Sequence, residues 1–384
     1  MRIFISGYGL VRISRWFSDS LEDLSFKAFT DMESRIGERI DADAVIVANS
    51  LGPILQSQNL ISVAIAEDLG FKGRPTFSVE NGGASGGSAV ILATSLIKAG
   101  MAKDVLVIGA EKTSDYISSI SNHAISTFLN SEYEAFYGGT PASSFAMIAR
   151  AYLAAYGYKE EDLSDWPVLM HENAVDVPHA QLKFKVTREQ VMKSDIISTP
   201  LRVMHSPPSS DGAAVLLISG EDSRLGKDKR LAEIKSTVQI SDIMELSIRD
   251  SLTEYQALHY LAESIERSTG YRMSEIDIID IPDDYTISTP LVLESLNISA
   301  KGKGLEDISS GRFRLGDKPS VNVTGGTKAR GHPYGATGVY QLAELSSLLS
   351  DNKVKNARVQ ADRALSISMG GVGTVFTGIL LEKV

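Results

Sequence analysis

The chain has 384 residues, 43% of them hydrophobic and 22% charged, so it is long enough for two or three domain-sized cores and is neither disordered nor collagen-like. Its 38 basic and 48 acidic residues give a net charge of −10, and no basic stripe with interleaved aromatic residues occurs, which argues against a nucleic-acid partner. The absence of cysteine excludes disulfides, zinc ribbons, iron–sulfur clusters and thiol nucleophiles.

The N-terminal residues MRIFISGYGLV lack the basic region, apolar core and cleavage site of a signal peptide. No apolar run approaches the roughly 20 residues that span a bilayer. We therefore expect a cytoplasmic protein with no membrane partner. His171 and His179 are not spaced as metal ligands and no HExxH motif occurs, so we also expect no metal site.

Apolar β-branched segments alternate with amphipathic segments in the first third of the chain. In order, they predict strand RIFISG, helix DLSFKAFTDMESRIG, strand DAVIVANS, helix NLISVAIAEDLG, strand TFSVENGG, helix SAVILATSLIKAG and strand DVLVIGAE. This alternation is typical of βαβ units with buried strands.

The same order returns from about residue 252. The segments there predict helix YQALHYLAESIERSTG, strand EIDIIDIPD, helix PLVLESLN, strand SVNVTGG, helix TGVYQLAELSSLL and strands ALSISMGG and TVFTGILLEKV. Between the two series, from about 115 to 215, a less regular stretch contains one strong helix at 142–156 and is predicted to cover a crevice. The sequence therefore indicates a duplicated α/β protein.

In both halves the third strand runs into a glycine-rich turn and then a helix, at VENGG (79–83) and at VNVTGG (321–326). We expect two helix N-termini aimed inward. The free N–H groups and partial positive charge of such ends suit a developing oxyanion or a thiolate.

Three segments resemble the thiolase family, specifically its archaeal and sterol-carrier-protein type, and the likeness extends over essentially the whole chain. VENGGASGGSAV (79–90) is similar to the turn that carries the nucleophilic cysteine. GGTKARGHPYGATG (325–338) contains the Gly-His-Pro of the family, and SMGGVGT (368–374) is similar to its glycine-rich C-terminal hairpin.

The resemblance implies an α/β fold with two βαβαβαββ halves in a five-layered α-β-α-β-α arrangement and an inserted loop region. The N-terminal half would comprise residues 1–115 and about 205–225, the covering region 116–204, and the C-terminal half 226–384. It also implies a homo-oligomer, a dimer or tetramer, in which the strand DVLVIGAEK belongs to the sheet edge that pairs across a two-fold axis.

The sequence departs from the family where the chemistry resides. Gly83 occupies the position of the nucleophilic cysteine, which leaves His332 without a thiol to activate. Ile367 and Ser368 fall near the C-terminal base, and Pro282 replaces a side chain that would help to bind the enolate oxygen. Covalent thiolysis would thus lose its nucleophile, a loss of the order of 10⁶ in rate for triad-like sites.

Several residues allow two interpretations. His332 is either a turn residue before Pro333 or, as the family context favours, faces the crevice. The backbone of Met369 and Gly370 either helps to hold an oxyanion or simply forms the turn of a hairpin. Coenzyme A contacts are assigned to His171, Lys183 and Lys185, although the two lysines suit a solvated face as well.

One motif competes with the family reading. Gly83-Ala84-Ser85-Gly86-Gly87 fits the GxSxG serine elbow of α/β-hydrolases, and Ser85 precedes Asp283 or Asp284 and then His332, the order such enzymes use. An α/β-hydrolase, however, has no reason to repeat its topology. A dinucleotide site is rejected because SGYGLVR lacks the third glycine of the fingerprint.

These observations support three hypotheses. The first is a thiolase homologue without thiolase activity that binds acyl-coenzyme A, or coenzyme A, as ligand, or acts as partner or scaffold of an active thiolase or HMG-CoA synthase with a small OB-fold accessory protein. The second is an acyltransferase that uses His332 without covalent capture. The third is a serine hydrolase with Ser85.

Overall fold

A computed structural model describes residues 1–351, 353–354, 357–358 and 360–384. The strands are β1 (Ile3–Leu10), β2 (Ala44–Ala48), β3 (Thr76–Val79), β4 (Asp104–Glu111), β5 (Ile196–Ser198), β6 (Leu201–Arg202), β7 (Gly212–Gly220), β8 (Ala232–Ser241), β9 (Ile278–Asp280), β10 (Ser320–Val321), β11 (Lys353–Val354), β12 (Ala357–Arg358), β13 (Arg363–Gly370) and β14 (Val375–Lys383). The α-helices are α1 (Leu21–Ile36), α2 (Gly52–Leu55), α3 (Ile61–Asp68), α4 (Ser85–Lys98), α5 (Ser118–Ser126), α6 (Pro141–Tyr156), α7 (Asp165–Ala174), α8 (Arg188–Lys193), α9 (Gln256–Thr269), α10 (Ser288–Ser295), α11 (Gly304–Ser309) and α12 (Tyr334–Asp351).

Local sequence explains how these elements begin and end. In α1, the Ser20 side chain accepts from Asp23 N while the Asp23 side chain accepts from Ser20 N, and Gly37 ends the helix at φ 83°. Strands β2 and β4 are buried along their whole length, as expected for continuous apolar runs in the middle of a sheet with both faces covered.

Ten strands form one mixed sheet in the order β10-β9-β13-β14-β8-β1-β7-β4-β2-β3. The first half of the chain supplies one five-stranded side and the second half supplies the other. The two sides join where β1 pairs with β8 at only two positions, Phe4 with Glu233 and Ile5 with Ala232. The short hairpins β5–β6 and β11–β12 lie outside this sheet.

The hydrophobic cores define five layers. Helices α1 and α3 pack on the outer face of the first side, and α9 and α10 pack on the outer face of the second. Helices α4 and α12 lie between the two sides and contact each other. The predicted duplicated α/β architecture, with two βαβαβαββ halves in five layers, is therefore observed.

Strand β8 opens the second half, but no predicted strand corresponded to its sequence AEIKSTVQIS. Only its first residues are regularly buried, and polar side chains occupy much of the remainder. A weakly amphipathic strand of this kind gives little periodic signal, and its identity depends on pairing with β14 and β1.

The predicted edge strand was wrong. DVLVIGAE forms β4, which lies between β7 and β2 in the interior of the sheet. The free edge on this side is β3, whose residues are only partly buried. Any pairing across a two-fold at this edge would therefore use β3.

The proposed domain boundaries stay a prediction.

Among the residues that the structure describes, none of the helices combines the length and the apolar character that a membrane span requires.

Candidate active site

A cavity of about 610 Å³ opens at the junction of the two halves. Gly83, Asp284, His332 and Met369 line its floor. The segments 113–145 and 197–209 supply much of its wall, including Phe145 from α6. The stretch that the sequence predicts to cover the crevice therefore lies over it.

Position 83 lies in a 3₁₀ turn between β3 and α4 and is buried. A Cβ atom built on Gly83 would lie 3.3 Å from His332 Cε1, which places this position beside the histidine as the family resemblance predicts. The same Cβ would lie only 2.5 Å from the carbonyl oxygen of Met369, too close for any side chain without backbone movement. The backbone around position 83 thus leaves room for glycine but not for a larger residue.

His332 follows a π-helical turn (Gly326–Arg330) and precedes α12. Its Nδ1 atom is 2.8 Å from Thr337 Oγ1, one turn into that helix, and its backbone N–H donates to Ser210 Oγ at 3.0 Å. These bonds fix the ring so that Nε2 is directed to the cavity side. Burial, with a smaller contribution from the charge of Arg330, lowers the pKa of His332 to about 3.

Two adjacent carboxyl groups have opposite surroundings. Asp283 accepts from Thr327 N at 2.6 Å, Thr327 Oγ1 at 2.8 Å and Trp166 Nε1 at 3.0 Å. Asp284 lines the cavity, and within the described part of the chain its Oδ1 atom has no hydrogen-bond partner. The first carboxylate thus stabilises the turn at Thr327, whereas the second lines the cavity with one buried oxygen left without a partner.

Asp284 Oδ1 lies 3.7 Å from His332 Nε2. Burial and the neighbouring charge of Asp283 raise the pKa of Asp284 to about 8. The separation is too long for a hydrogen bond, and both pKa shifts favour uncharged groups. We therefore describe the pair at neutral pH as a carboxylic acid beside a neutral imidazole, and not as an ion pair.

Aromatic rings narrow the cavity around this pair. Tyr285 stacks on Phe145 with ring centroids 4.7 Å apart, and Tyr334 lies 4.4 Å from the ring of His332 and 5.5 Å from that of Phe128. Burial raises the pKa of both tyrosines, which stay protonated and can act as hydrogen-bond donors.

The N-terminus of α12 is not free to hold an oxyanion in the way that the sequence suggests. The helix begins at Tyr334, after the histidine and not directly after Gly326. Its Gly335 N–H donates to the buried carboxylate of Glu111 at 3.0 Å. Burial raises the pKa of Glu111 to about 7 against the opposing effect of three backbone N–H donors.

The oxyanion role predicted for the backbone of Met369 and Gly370 stays a prediction. Met369 presents its carbonyl oxygen to position 83, and a carbonyl oxygen cannot donate to an oxyanion. The carbonyl of Gly370 accepts from Thr374 N at 3.1 Å and Oγ1 at 2.8 Å, closing the hairpin. Gly371, not Gly370, lines the cavity.

The residues predicted to contact coenzyme A lie outside the cavity lining. His171 is buried in α7, its Nδ1–H donates to the Phe184 carbonyl at 2.9 Å, and burial lowers its pKa to about 4. Lys183 and Lys185 are exposed, and Lys185 lies 4.0 Å from Glu172. The two lysines lie on a solvated face, and their role in coenzyme A binding stays a prediction.

The serine hydrolase hypothesis is not supported. Ser85 is fully buried, its hydroxyl donates to the Gly82 carbonyl at 2.7 Å, and it accepts from Asn81 N at 2.7 Å. No hydrogen bond described here joins Ser85 to His332. The hydroxyl stabilises the start of α4.

The sequence analysis did not assign Asp284, Tyr285 or Tyr334 to the floor of the cavity. All three adjoin the motifs that were noticed, in Pro282-Asp283-Asp284-Tyr285 and in His332-Pro333-Tyr334. The signal available in the sequence was the concentration of protonatable residues beside these two family motifs.

The described residues contain no group of three or more His, Asp or Glu side chains placed to hold a metal ion.

The fold and this crevice define a thiolase-type protein. Residues 18–201 match the family model "Thiolase, N-terminal domain" and residues 239–383 match "Thiolase C-terminal domain-like". An acetyl-CoA acetyltransferase of Methanocaldococcus jannaschii is 33% identical over 391 aligned residues, with 99% of each chain covered. The chain belongs to the thiolase family.

More distant relatives agree. Human sterol carrier protein 2 is 26% identical, with 97% of this chain and 71% of that protein covered. Among solved structures, the Ltp2-ChsH2(DUF35) aldolase has a TM-score of 0.84 at 21% identity, covering 100% of this chain and 98% of that one. Human mitochondrial 3-ketoacyl-CoA thiolase in complex with CoA has a TM-score of 0.75 at 15% identity, with 100% and 98% covered.

Proposed function

We propose that the crevice binds the acyl end of an acyl-coenzyme A and that the chain performs no thiolysis through an acyl-enzyme. The observation that carries this proposal is at position 83, where the family resemblance places the nucleophile. A glycine occupies it, and the Met369 carbonyl oxygen fills the space that a side chain would need. The binding space itself remains, as an aromatic-lined cavity of about 610 Å³.

Binding is tested by titrating the protein with acetyl-coenzyme A in a calorimeter. Ala142 lines the cavity in α6, so Ala142→Trp is expected to weaken binding at least tenfold by filling the space. Ala154 is exposed on the same helix, and Ala154→Trp is the matched control with wild-type affinity. Equal affinity in both variants would place the ligand elsewhere.

Covalent capture is tested in the same sample. Intact-mass measurement after incubation with acetyl-coenzyme A is expected to show no acetylated protein, because a stable acyl-enzyme requires a nucleophile. An acetyl adduct on the peptide that contains Ser85 would contradict the proposal and favour a serine-based reaction.

A second candidate function is favoured by the uncharged pair of Asp284 and His332. Aldol-type cleavage of a β-hydroxyacyl thioester needs proton transfer and a stabilised enolate, but no nucleophile and no cofactor. The ionised form of Asp284 takes the β-hydroxyl proton, the Cα–Cβ bond breaks to give a carbonyl product and a thioester enolate, and the resulting Asp284 acid returns that proton to the enolate at Cα. A similar solved structure is named an aldolase.

The partner hypotheses also remain proposals. An active thiolase or HMG-CoA synthase and a small OB-fold accessory protein are the candidates, and the similar aldolase structure is a complex whose title names a DUF35 component. Affinity purification of the tagged chain from its own cells, followed by mass spectrometry, tests them. Recovery of this chain alone would argue against a scaffold role.

A further inference from the structure

We propose that Asp284 is the proton-transfer group of this cavity, which removes and returns the proton at Cα of a coenzyme A thioester. The proposal rests on the proposed binding of acyl-coenzyme A in the crevice. It assigns to Asp284 the role of the family's C-terminal base, for which Ile367 and Ser368 are unsuited. Ile367 has no titratable group, and the Ser368 hydroxyl donates to Gln341 Oε1 at 2.6 Å inside the core.

The first argument is an incompletely satisfied carboxyl group at the cavity. The Asp284 side chain is 12% exposed and lines the cavity, and its buried Oδ1 atom has no hydrogen-bond partner among the described residues. A buried polar atom of this kind is costly unless a ligand or water completes it. The adjacent Asp283, by contrast, accepts three hydrogen bonds, as expected of a carboxylate with a structural role.

The second argument is the fit between two catalytic atoms and one functional group. In a thioester the carbonyl oxygen and Cα are roughly 2.4 Å apart, from standard bond lengths. Asp284 Oδ1 and His332 Nε2 are 3.7 Å apart, and both side chains line the cavity. The Asp284 carboxyl group can therefore reach Cα while His332 Nε2 reaches the carbonyl oxygen.

The step balances without any further reagent. The ionised Asp284 takes a proton from Cα, the electrons of that C–H bond form the Cα=C double bond, and the carbonyl π electrons move to oxygen. With the Thr337 hydroxyl donating to Nδ1, His332 Nε2 carries a proton and donates to the enolate oxygen. A low histidine pKa suits this role, because a neutral imidazole donates a hydrogen bond without losing its proton.

The charged and titratable groups around Asp284 set its behaviour with pH. Asp283 precedes it, His332 faces it, and Tyr255, Tyr285 and Tyr334 are close enough to interact with its charge. The tyrosines stay protonated near neutral pH, so the charge of Asp283 and burial dominate. Only the ionised form of Asp284 is a base, hence proton removal should accelerate as pH rises toward about 8 and then level off.

The test is hydrogen exchange at the acetyl group, which requires no knowledge of the natural substrate. Wild-type protein and acetyl-coenzyme A are incubated in D₂O, and deuterium in the acetyl group is measured by mass spectrometry across pH. Asp284→Asn is expected to reduce exchange by at least ~100-fold, the usual lower range for a positioned general base. Affinity for acetyl-coenzyme A should stay within a few-fold of wild type. Asp195→Asn, an exposed aspartate outside the cavity, is the matched control.

The outcomes separate the two proposals. Binding without exchange in wild type, or exchange that survives in Asp284→Asn, would overturn the role of Asp284 and leave acyl-coenzyme A binding intact. Absence of binding in wild type would overturn both. If Asp284→Asn failed to fold, the wild-type pH profile would still decide, since exchange that does not increase between pH 6 and about 8 contradicts a base with this pKa.

Discussion

The pair Asp283–Asp284 shows how different surroundings give two identical side chains different roles. Three donors hydrogen-bond to Asp283, whereas Asp284 lines the cavity and its buried Oδ1 atom has no partner among the described residues. Burying a carboxyl without donors costs stability once it ionises, so such a group is expected where chemistry requires it and not where folding does.

Asp284→Asn should therefore be more stable than wild type at high pH. The ordinary pKa of this carboxyl, 3.8, applies to the unfolded chain, and the folded value is about 8. Between these values the folded state holds a proton that the unfolded state has lost, so wild-type stability falls as pH rises, by at most about 1.4 kcal/mol per pH unit. Urea unfolding of both proteins at several pH values from 4 to 8 measures the difference. A constant difference would contradict the raised pKa, and Asp195→Asn should follow wild type throughout.

Gly83→Cys tests whether a nucleophile can simply be restored. The sequence alone suggests that a cysteine here would regain acyl capture but little condensation. The structure changes the expectation, because Cβ would lie 2.5 Å from the Met369 carbonyl oxygen. We expect destabilisation of about 1–3 kcal/mol, typical of overpacking, and little acyl adduct.

Thermal unfolding and intact mass after incubation with acetyl-coenzyme A check both parts. Gly83→Ala carries the same Cβ without the thiol, so it should be destabilised equally and gain no adduct. A cysteine variant with wild-type stability and full acylation would show that the Met369 carbonyl moves aside easily.

For single residues, the sequence predicted which of them lie at the crevice but not the distances between their atoms. Gly83 and His332 could be placed at one crevice because their flanking motifs resemble the family. The closeness of Met369 O, the direction of its carbonyl and the free oxygen of Asp284 depend on how distant segments pack. No local pattern encodes those distances.

At the scale of elements, Glu111 connects the end of β4 to the start of α12. Its Oε1 accepts from Asn49 Nδ2 at 3.0 Å and Leu51 N at 3.1 Å, and its Oε2 accepts from Ser50 N at 2.9 Å and Gly335 N at 3.0 Å. A carboxylate satisfies four donors here because both oxygens accept.

Glu111→Gln should lower the free energy of unfolding by about 2 kcal/mol or more. The amide keeps the shape but turns an NH₂ group toward two N–H donors, leaving them unsatisfied in a buried place. Urea denaturation near neutral pH measures the loss. Glu67→Gln, exposed on α3, is the control and should change little. An unaltered Glu111→Gln variant would mean that water replaces the lost acceptor.

Most elements could be read from periodicity, and the exceptions have physical reasons. Strands such as β2 and β4 are continuous apolar runs and were predicted well. The π-helical turn before His332 was not predicted, because it depends on contacts from outside the segment. Gly326 has φ 58°, and a Cβ there would lie 2.4 Å from Asp283 Oδ2, so the turn requires glycine on both counts.

At the scale of the whole molecule, the free edge of the first half bears on assembly. We expect a homodimer, as the family resemblance implies, with β3 pairing across a two-fold axis. Light scattering at micromolar concentration should give twice the mass of one chain. Ser78 is exposed on β3, and Ser78→Lys should favour the monomer by placing like charges near each other.

Ser274→Lys provides the comparison, since Ser274 is exposed in the second half and away from this edge. A wild-type monomer would contradict the homodimer. A dimer that Ser78→Lys leaves intact would show that another surface forms the interface.

The floor and the wall of the cavity come from different stretches of chain. Asp284, Tyr285, His332 and Tyr334 all belong to the second repeat, while the first repeat gives the floor the backbone of Gly83. Much of the wall comes from 113–145 and 197–209. Under the proposed function, the residues that would select the acyl group and those that would move the proton lie in separate stretches of the chain. We therefore expect evolution to change the substrate through the wall while the proton-transfer residues stay unchanged.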